Sequence, residues 1–245
     1  QFTIVLEDFG GRSLKQIMSG TRLSLPQFLA LSSEIALIIA SVHKRNVIHK
    51  DIKPDNFIVR PDGDAENWIV RLTDFHIAST TASESSIDDD HMLLQGSLPY
   101  ISPEQTGRMN RSVDYRTDLY SLGVTLFEIL TGRLPFTTSD PMEMLHHHIA
   151  EPPPAPHEID PSIPRPVSAI IMKLMAKNPG ERYRSAAGVA YDLGECLKRI
   201  RETGSVGDFT PGEKDVSDRF MLPDTLYGRS SETEQIAECF PAAAG

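Results

Sequence analysis

The chain has 245 residues, 40% hydrophobic and 24% charged, which suffices for one large buried core, or one domain plus a fragment. A formal net charge of −10 argues against the basic face that nucleic-acid binding normally needs. Cys196 and Cys239 stand far apart without metal-ligand spacing, no apolar run approaches the roughly 18 residues of a membrane span, and no leader segment opens the chain, so a reducing cytoplasm away from membranes is expected.

In chain order, Phe2-Thr3-Ile4-Val5-Leu6 is an apolar, β-branched run that reads as a buried strand, broken at Gly10-Gly11. Ser24 as a cap and Pro26 in the first turn start a helix. Its apolar positions Phe28, Leu31, Ile35, Ile38, Ile39 and Val42 recur at helical spacing through about His43, on more than one side, as in a central buried helix. That helix leads into His49-Lys50-Asp51-Ile52-Lys53-Pro54-Asp55-Asn56. Phe57-Ile58-Val59 and Trp68 to Leu72 then form two strands around the turn-rich Pro61-Asp62-Gly63-Asp64. This hairpin carries Asn56 at one end and Asp74 at the other.

The order of these side chains suits phosphoryl transfer. Asp51 can orient a hydroxyl and accept its proton, and Lys53 can neutralise charge on the moving phosphoryl group. Asn56 and Asp74 supply hard oxygen ligands suited to magnesium. The competing reading, a surface loop with ordinary charges before a strand, does not explain the order and spacing.

Residues 77–97 are polar and hydroxyl-rich without periodicity, as a mobile loop would be. Asp118 opens a strongly apolar helix that Gly132 stops. Pro152-Pro153-Pro154 marks an extended loop, and helices follow around Ile170 to Met175 and Val189 to Ile200. From Arg201 the composition turns to Gly, Ser, Asp, Glu and Pro, which reads as a linker over 201–221.

Ile48 to Asn56, Asp74-Phe75-His76, Ser102-Pro103-Glu104 and Asp118 to Gly123 together make residues 1–200 resemble the protein kinase superfamily, Ser/Thr type. Tyr100 to Arg111 makes the chain similar to the kinase-like domain of large hybrid sensor histidine kinases. The resemblance implies an α+β, mainly α fold, the C-terminal lobe of a kinase with small β-hairpins and without the N-terminal lobe. It implies transfer of phosphate from Mg-ATP to a protein hydroxyl, with Asp51 and Lys53 catalytic and Asn56 and Asp74 binding both nucleotide and magnesium. Leu6 falls at the gatekeeper position, and the backbone of Glu7 and Phe9 faces the adenine edge. Residues 222–245 resemble the lead-in to an ATPase domain, which implies covalently linked downstream signalling domains.

Several residues depart from the family pattern or take supporting roles within it. Lys50 replaces an arginine and cannot reproduce its bidentate phosphate clamp. His76 stands where the motif has glycine, whose backbone angles histidine reaches at a cost. His49 is expected to pack beneath the metal-binding loop, Glu104 and Arg182 to form a buried ion pair, and Asp118 to cap its helix and bond catalytic-loop amides. Ser97 matches the hydroxyl residue that accompanies Ser/Thr specificity. His146-His147-His148 cannot chelate together, because adjacent helix positions point about 100° apart. No G-x-G-x-x-G occurs in the chain, so weak or no activity is expected of it alone. The alternative is a pseudokinase scaffold or regulatory binding module in a signalling protein.

Overall fold

A computed structural model describes residues 8–20, 22–80, 97–109 and 112–216, with backbone alone for 64–66. The expected strand over Phe2 to Leu6, most of the hydroxyl-rich stretch and the 222–245 segment lie outside these residues. The fold is mixed, with helices forming the bulk and small antiparallel sheets at one side.

The first described elements are β1 (Arg12–Ser13) and α1 (Leu14–Met18). Ser13 and Gln16 close a capping box on α1, and Leu14 and Ile17 turn into the core. Ser24 and Gln27 repeat the device at the start of α2 (Leu25–Lys44), where Pro26 sits in the first turn as expected. By length and composition α2 could span a membrane, contrary to the expectation that no run comes close. One apolar face is instead taken up by other helices and the sheet, while Leu37 remains exposed. Phe28, Leu31, Ile35 and Ile39 are buried, and the helix packs on α7, β4 and α3.

After β2 (Val47–Ile48) the chain forms the expected hairpin, β3 (Phe57–Asp62) and β4 (Asp64–Leu72), paired antiparallel from Phe57 opposite Leu72. β1 adds to the outer side of β3, and β5 (Ser79–Thr80) pairs antiparallel with β2. Neither short pairing was legible in the sequence, because two-residue strands carry no alternation.

The core is centred on α3 (Arg116–Thr131), in which every residue from Thr117 to Leu130 is buried. Gly132, at φ 75°, ends it in the left-handed conformation as expected. Inside α3, a Cβ on Gly123 would lie 2.8 Å from Leu174 Cβ, so glycine is what lets α3 approach α6 (Arg165–Leu174). α4 (Pro141–Ala150) and α5 (Pro156–Ile159) lie between them in sequence. The last helix, α7 (Ala186–Thr203), buries Val189, Leu193 and Leu197.

The stretch read as linker from Arg201 begins inside α7, and the largely exposed chain beyond it, to Val216, is tied back at single points. Val206 is buried, Gly212 N–H donates to Asp192 Oδ2 at 2.7 Å, and Asp215 accepts from Ser185 Oγ at 2.8 Å and from the Arg184 backbone. Composition missed this because the anchors are single side chains rather than an apolar period.

The Glu104–Arg182 ion pair forms as expected and is fully buried, with N–O distances of 2.6 and 2.9 Å. Arg182 also donates to the carbonyls of Ala176, Arg116 and Lys177, so all five guanidinium hydrogens are used. Removing one partner would leave a buried charge uncompensated. Arg182→Met should therefore lower unfolding free energy by about 3–5 kcal/mol in urea titration, and Arg182→Lys should not restore it, since lysine lacks the fork. Unchanged stability in both variants would contradict the role assigned to this pair.

Candidate active site

The site is a loop held against α3 by one buried carboxylate. Asp118 Oδ1 accepts the Lys50 N–H at 2.7 Å, while Oδ2 accepts the His49 N–H at 2.9 Å and meets His43 Nε2 at 2.8 Å. The expectation that Asp118 bonds loop amides holds. It does not cap α3, however: the helix starts two residues earlier, after Tyr115, which places Asp118 in the first turn. Lys50 sits at φ 68°, a left-handed conformation rarely used by side-chain-bearing residues. Gln105 Nε2 donates to the Lys50 carbonyl at 2.8 Å, so this backbone unit is held from both sides.

Beyond it lies Asp51, buried, with both carboxylate oxygens engaged. Lys53 Nζ approaches Oδ2 at 2.6 Å, Asn56 Nδ2 donates to the same oxygen at 3.0 Å, and the Ser97 N–H reaches Oδ1 at 3.3 Å. Lys53 Nζ also donates to Ser97 Oγ at 2.8 Å. Burial alone would push the Asp51 pKa up. Hydrogen bonds from Lys53 and Asn56, the Lys53 charge and the Ser97 N–H outweigh it and hold the carboxyl below its ordinary value. Asp51 is thus ionised at neutral pH, which a proton acceptor requires.

Asn56 and Asp74 are brought to adjacent chain segments by the hairpin: Thr73 N–H and Oγ1 donate to the Asn56 carbonyl at 2.9 and 3.1 Å. The Asn56 amide nitrogen is directed to Asp51, at its carbonyl and its carboxylate, which leaves the amide oxygen as a hard ligand. His76 Nδ1 pairs with Asp74 Oδ1, which leaves Oδ2 as a second. Two oxygens from two side chains, with the remaining positions left to phosphates and water, suit magnesium. The backbone cost expected at His76 falls elsewhere: Asp74 itself takes the left-handed conformation, at φ 66°. His49 lies beneath this segment as expected, with Nε2 3.0 Å from the Thr73 carbonyl and its ring edge-on to Phe75 at 4.6 Å.

Leu6 and Glu7 lie outside the described residues. Phe9 is half-buried, with the Arg71 guanidinium over its ring at 5.6 Å. Two contributors escaped the sequence reading. His43 is a polar residue at an inward position on the last turn of α2, and its phase was the available signal. Gln105 follows directly on the Ser102-Pro103-Glu104 motif, but nothing in the sequence links it to Lys50.

A family model described as protein kinase domain matches residues 1–192. The chain is 35% identical over 222 residues to a probable serine/threonine-protein kinase of Clostridium perfringens, covering 90% of this chain and 31% of that protein. It is 34% identical over 193 residues to the serine/threonine-protein kinase PrkC of Bacillus subtilis, covering 78% and 28%. It is 27% identical over 292 residues to hybrid signal transduction histidine kinase G of Dictyostelium discoideum, covering 85% of this chain and 8% of that one. The chain thus spans about a third or less of the length of these relatives.

The electrostatics at Asp51 can be tested directly. The depressed carboxyl pKa contributes stability above the unfolded value of about 3.9, and that contribution is lost as pH falls through the folded value. In Lys53→Met, burial is no longer offset by the ammonium, so the Asp51 carboxyl should titrate at higher pH than in the wild type. Carbon-detected NMR titration reads this shift, and an unmoved Asp51 would remove Lys53 as the controlling partner.

Proposed function

Because the chain belongs to the protein kinase domain family, we propose that it carries Ser/Thr-type phosphotransfer from Mg-ATP to a protein hydroxyl. We read the described residues as the lobe that holds the catalytic loop. The observation that carries this reading is the bridge made by Lys53, which ties Asp51 at 2.6 Å to Ser97 Oγ at 2.8 Å.

In this mechanism the ionised Asp51 orients the substrate hydroxyl and accepts its proton as the hydroxyl oxygen bonds to the γ-phosphorus and the bond from that phosphorus to the β,γ-bridging oxygen breaks, with ADP as the leaving group. Lys53 lies at the same oxygen of Asp51 and offsets charge on the transferred group. Asn56 and Asp74 would hold a magnesium ion, which would supply charge neutralisation at the nucleotide phosphates. The family resemblance assigns Leu6, Glu7 and Phe9 to the adenine side of the nucleotide site. Ser97 beside the acceptor position supports serine or threonine as the target. Lys50 lacks the planar fork that clamps a loop phosphate, which favours control by means other than loop phosphorylation. The reading extends to residues 222–245 as the start of a downstream signalling domain in a cytoplasmic protein.

A second reading, a pseudokinase scaffold, is favoured by one feature: the Asp74 carboxylate is already paired with His76. Calorimetric titration with Mg-ATP separates the two readings, since the scaffold predicts no magnesium-dependent nucleotide binding. For phosphotransfer, Asp51→Asn in the longest natural product containing these residues should lower kcat by ~10²–10⁴ with little change in nucleotide affinity. Incorporation of γ-phosphate into serine or threonine at wild-type rate in that variant would overturn the assignment of Asp51.

A further inference from the structure

Away from the catalytic loop, α4 carries His146-His147-His148 towards its C-terminal end, and the structure separates these three by role. His148 is buried, with Nδ1 3.0 Å from the Tyr120 hydroxyl. Burial, with the Lys177 charge beside it, lowers its pKa to about 3. It faces the core and is unavailable to a surface ion. His146 is exposed and His147 partly so, and they turn toward Glu151, the exposed residue that closes the helix. The ligand atoms of His146, His147 and Glu151 all lie within 4.8 Å of one another. The objection that three consecutive histidines cannot chelate therefore stands, yet two of them with a carboxylate from the next turn converge.

The central ligand of this group is held in place. The His147 ring stacks on Phe136, with centroids 5.3 Å apart and planes 5° from parallel. Its Nδ1 faces Glu151 Oε2 at 2.5 Å, and its Nε2 faces Glu143 Oε1 at 3.8 Å. A carboxylate facing the second ring nitrogen is the arrangement that orients metal-bound imidazoles. Lys177 Nζ donates to the carbonyls of His147 and His148, each at 2.9 Å, so the backbone carrying the ligands is pinned as well.

We propose that His146, His147 and Glu151 form a divalent transition-metal site on the outer face of α4, with zinc as the fitting ion. Two imidazoles and one carboxylate, with a fourth position open to water, match zinc's ligand preference, whereas magnesium and calcium select all-oxygen sets. Ligand bonds of roughly 2.0–2.2 Å require the donor atoms to lie about 3.3–3.5 Å apart. The close His147–Glu151 pair opens to reach that spacing, and the exposed His146 ring swings in. The inner face of the same helix packs on the turn over Leu98–Tyr100, next to Ser97. An ion here would stiffen the support beneath the proposed substrate-acceptor position without entering the catalytic loop.

The competing explanation is that His147 and Glu151 form only a helix-end ion pair. Calorimetric titration of the whole chain with zinc chloride at neutral pH, in wild type, His146→Ala and Glu151→Gln, distinguishes the two. Zinc should bind at this site with an affinity that falls at least tenfold in each variant. It should fall by about tenfold in Glu143→Gln, as expected of a residue that orients a ligand. Millimolar magnesium should not compete. Melting temperature without zinc should be the same in wild type and His146→Ala, since that ring is exposed, and a given zinc concentration should raise it more in the wild type. Equal zinc affinity and equal zinc-induced stabilisation in wild type and the His146→Ala/Glu151→Gln double variant would overturn the proposal.

Discussion

The site depends first on a single buried carboxylate. Asp118 has two oxygens and three close partners: the amides of His49 and Lys50 and the ring of His43. The His49 and Lys50 amides belong to a loop whose backbone cannot join a helix or a sheet, so without Asp118 they would be buried donors lacking acceptors, at about 1–3 kcal/mol each. The left-handed conformation of Lys50 costs of order 1–3 kcal/mol more. These costs are tolerated because α3 is the most completely buried helix of the fold and cannot shift to relieve them. Everything downstream of Lys50, including Asp51, Lys53 and Asn56, takes its position from that fixed point.

The same helix organises the other side of the site. Thr117, one residue before Asp118, donates to Glu104 at 2.9 Å, and Glu104 is in turn held by Arg182. Tyr100 rests its backbone carbonyl on Ser121 Oγ at 2.7 Å. The segment from Ser97 to Thr106 and the loop over His49 to Asn56 are therefore both referenced to the first two turns of α3. This explains how Ser97 and Asp51, separated by 46 residues, come within hydrogen-bonding reach of each other. A rigid, apolar element carries the polar geometry, and the loops add the chemistry.

What the sequence made legible followed the strength of local signals. α2 and α3 were readable because their apolar periods are long and their caps, Ser24 and Gly132, use standard chemistry. The hairpin was readable from β-branched runs around a turn, and it correctly placed Asn56 and Asp74 on adjoining segments. The two-residue pairings of β1 and β5, the return of residues 206–216 onto α7, and the partnership of His43 with Asp118 were not readable. Each rests on one or two contacts between residues far apart in sequence, which no window of composition or period can register. The backbone strain expected at His76 falls two motif positions earlier: the tight turn is at Asp74, and the histidine ring serves as its partner.

Lys50 takes a left-handed backbone conformation itself, and His76 stands two residues after Asp74, which does the same; one replaces the arginine and the other the glycine of the family pattern. The framework around them is unaffected, because the Asp118 contacts are made by main-chain amides and do not depend on the Lys50 side chain. The most direct test of this hierarchy is native-state hydrogen exchange at the His49 and Lys50 amides in wild type and Asp118→Asn. Asparagine keeps one acceptor oxygen and replaces the other with a donor. The account predicts that these amides together lose at least tenfold in protection while the core amides of α6 keep theirs, a change of about 1.4 kcal/mol at the loop. Undiminished protection at both amides would show that the loop holds its shape without Asp118.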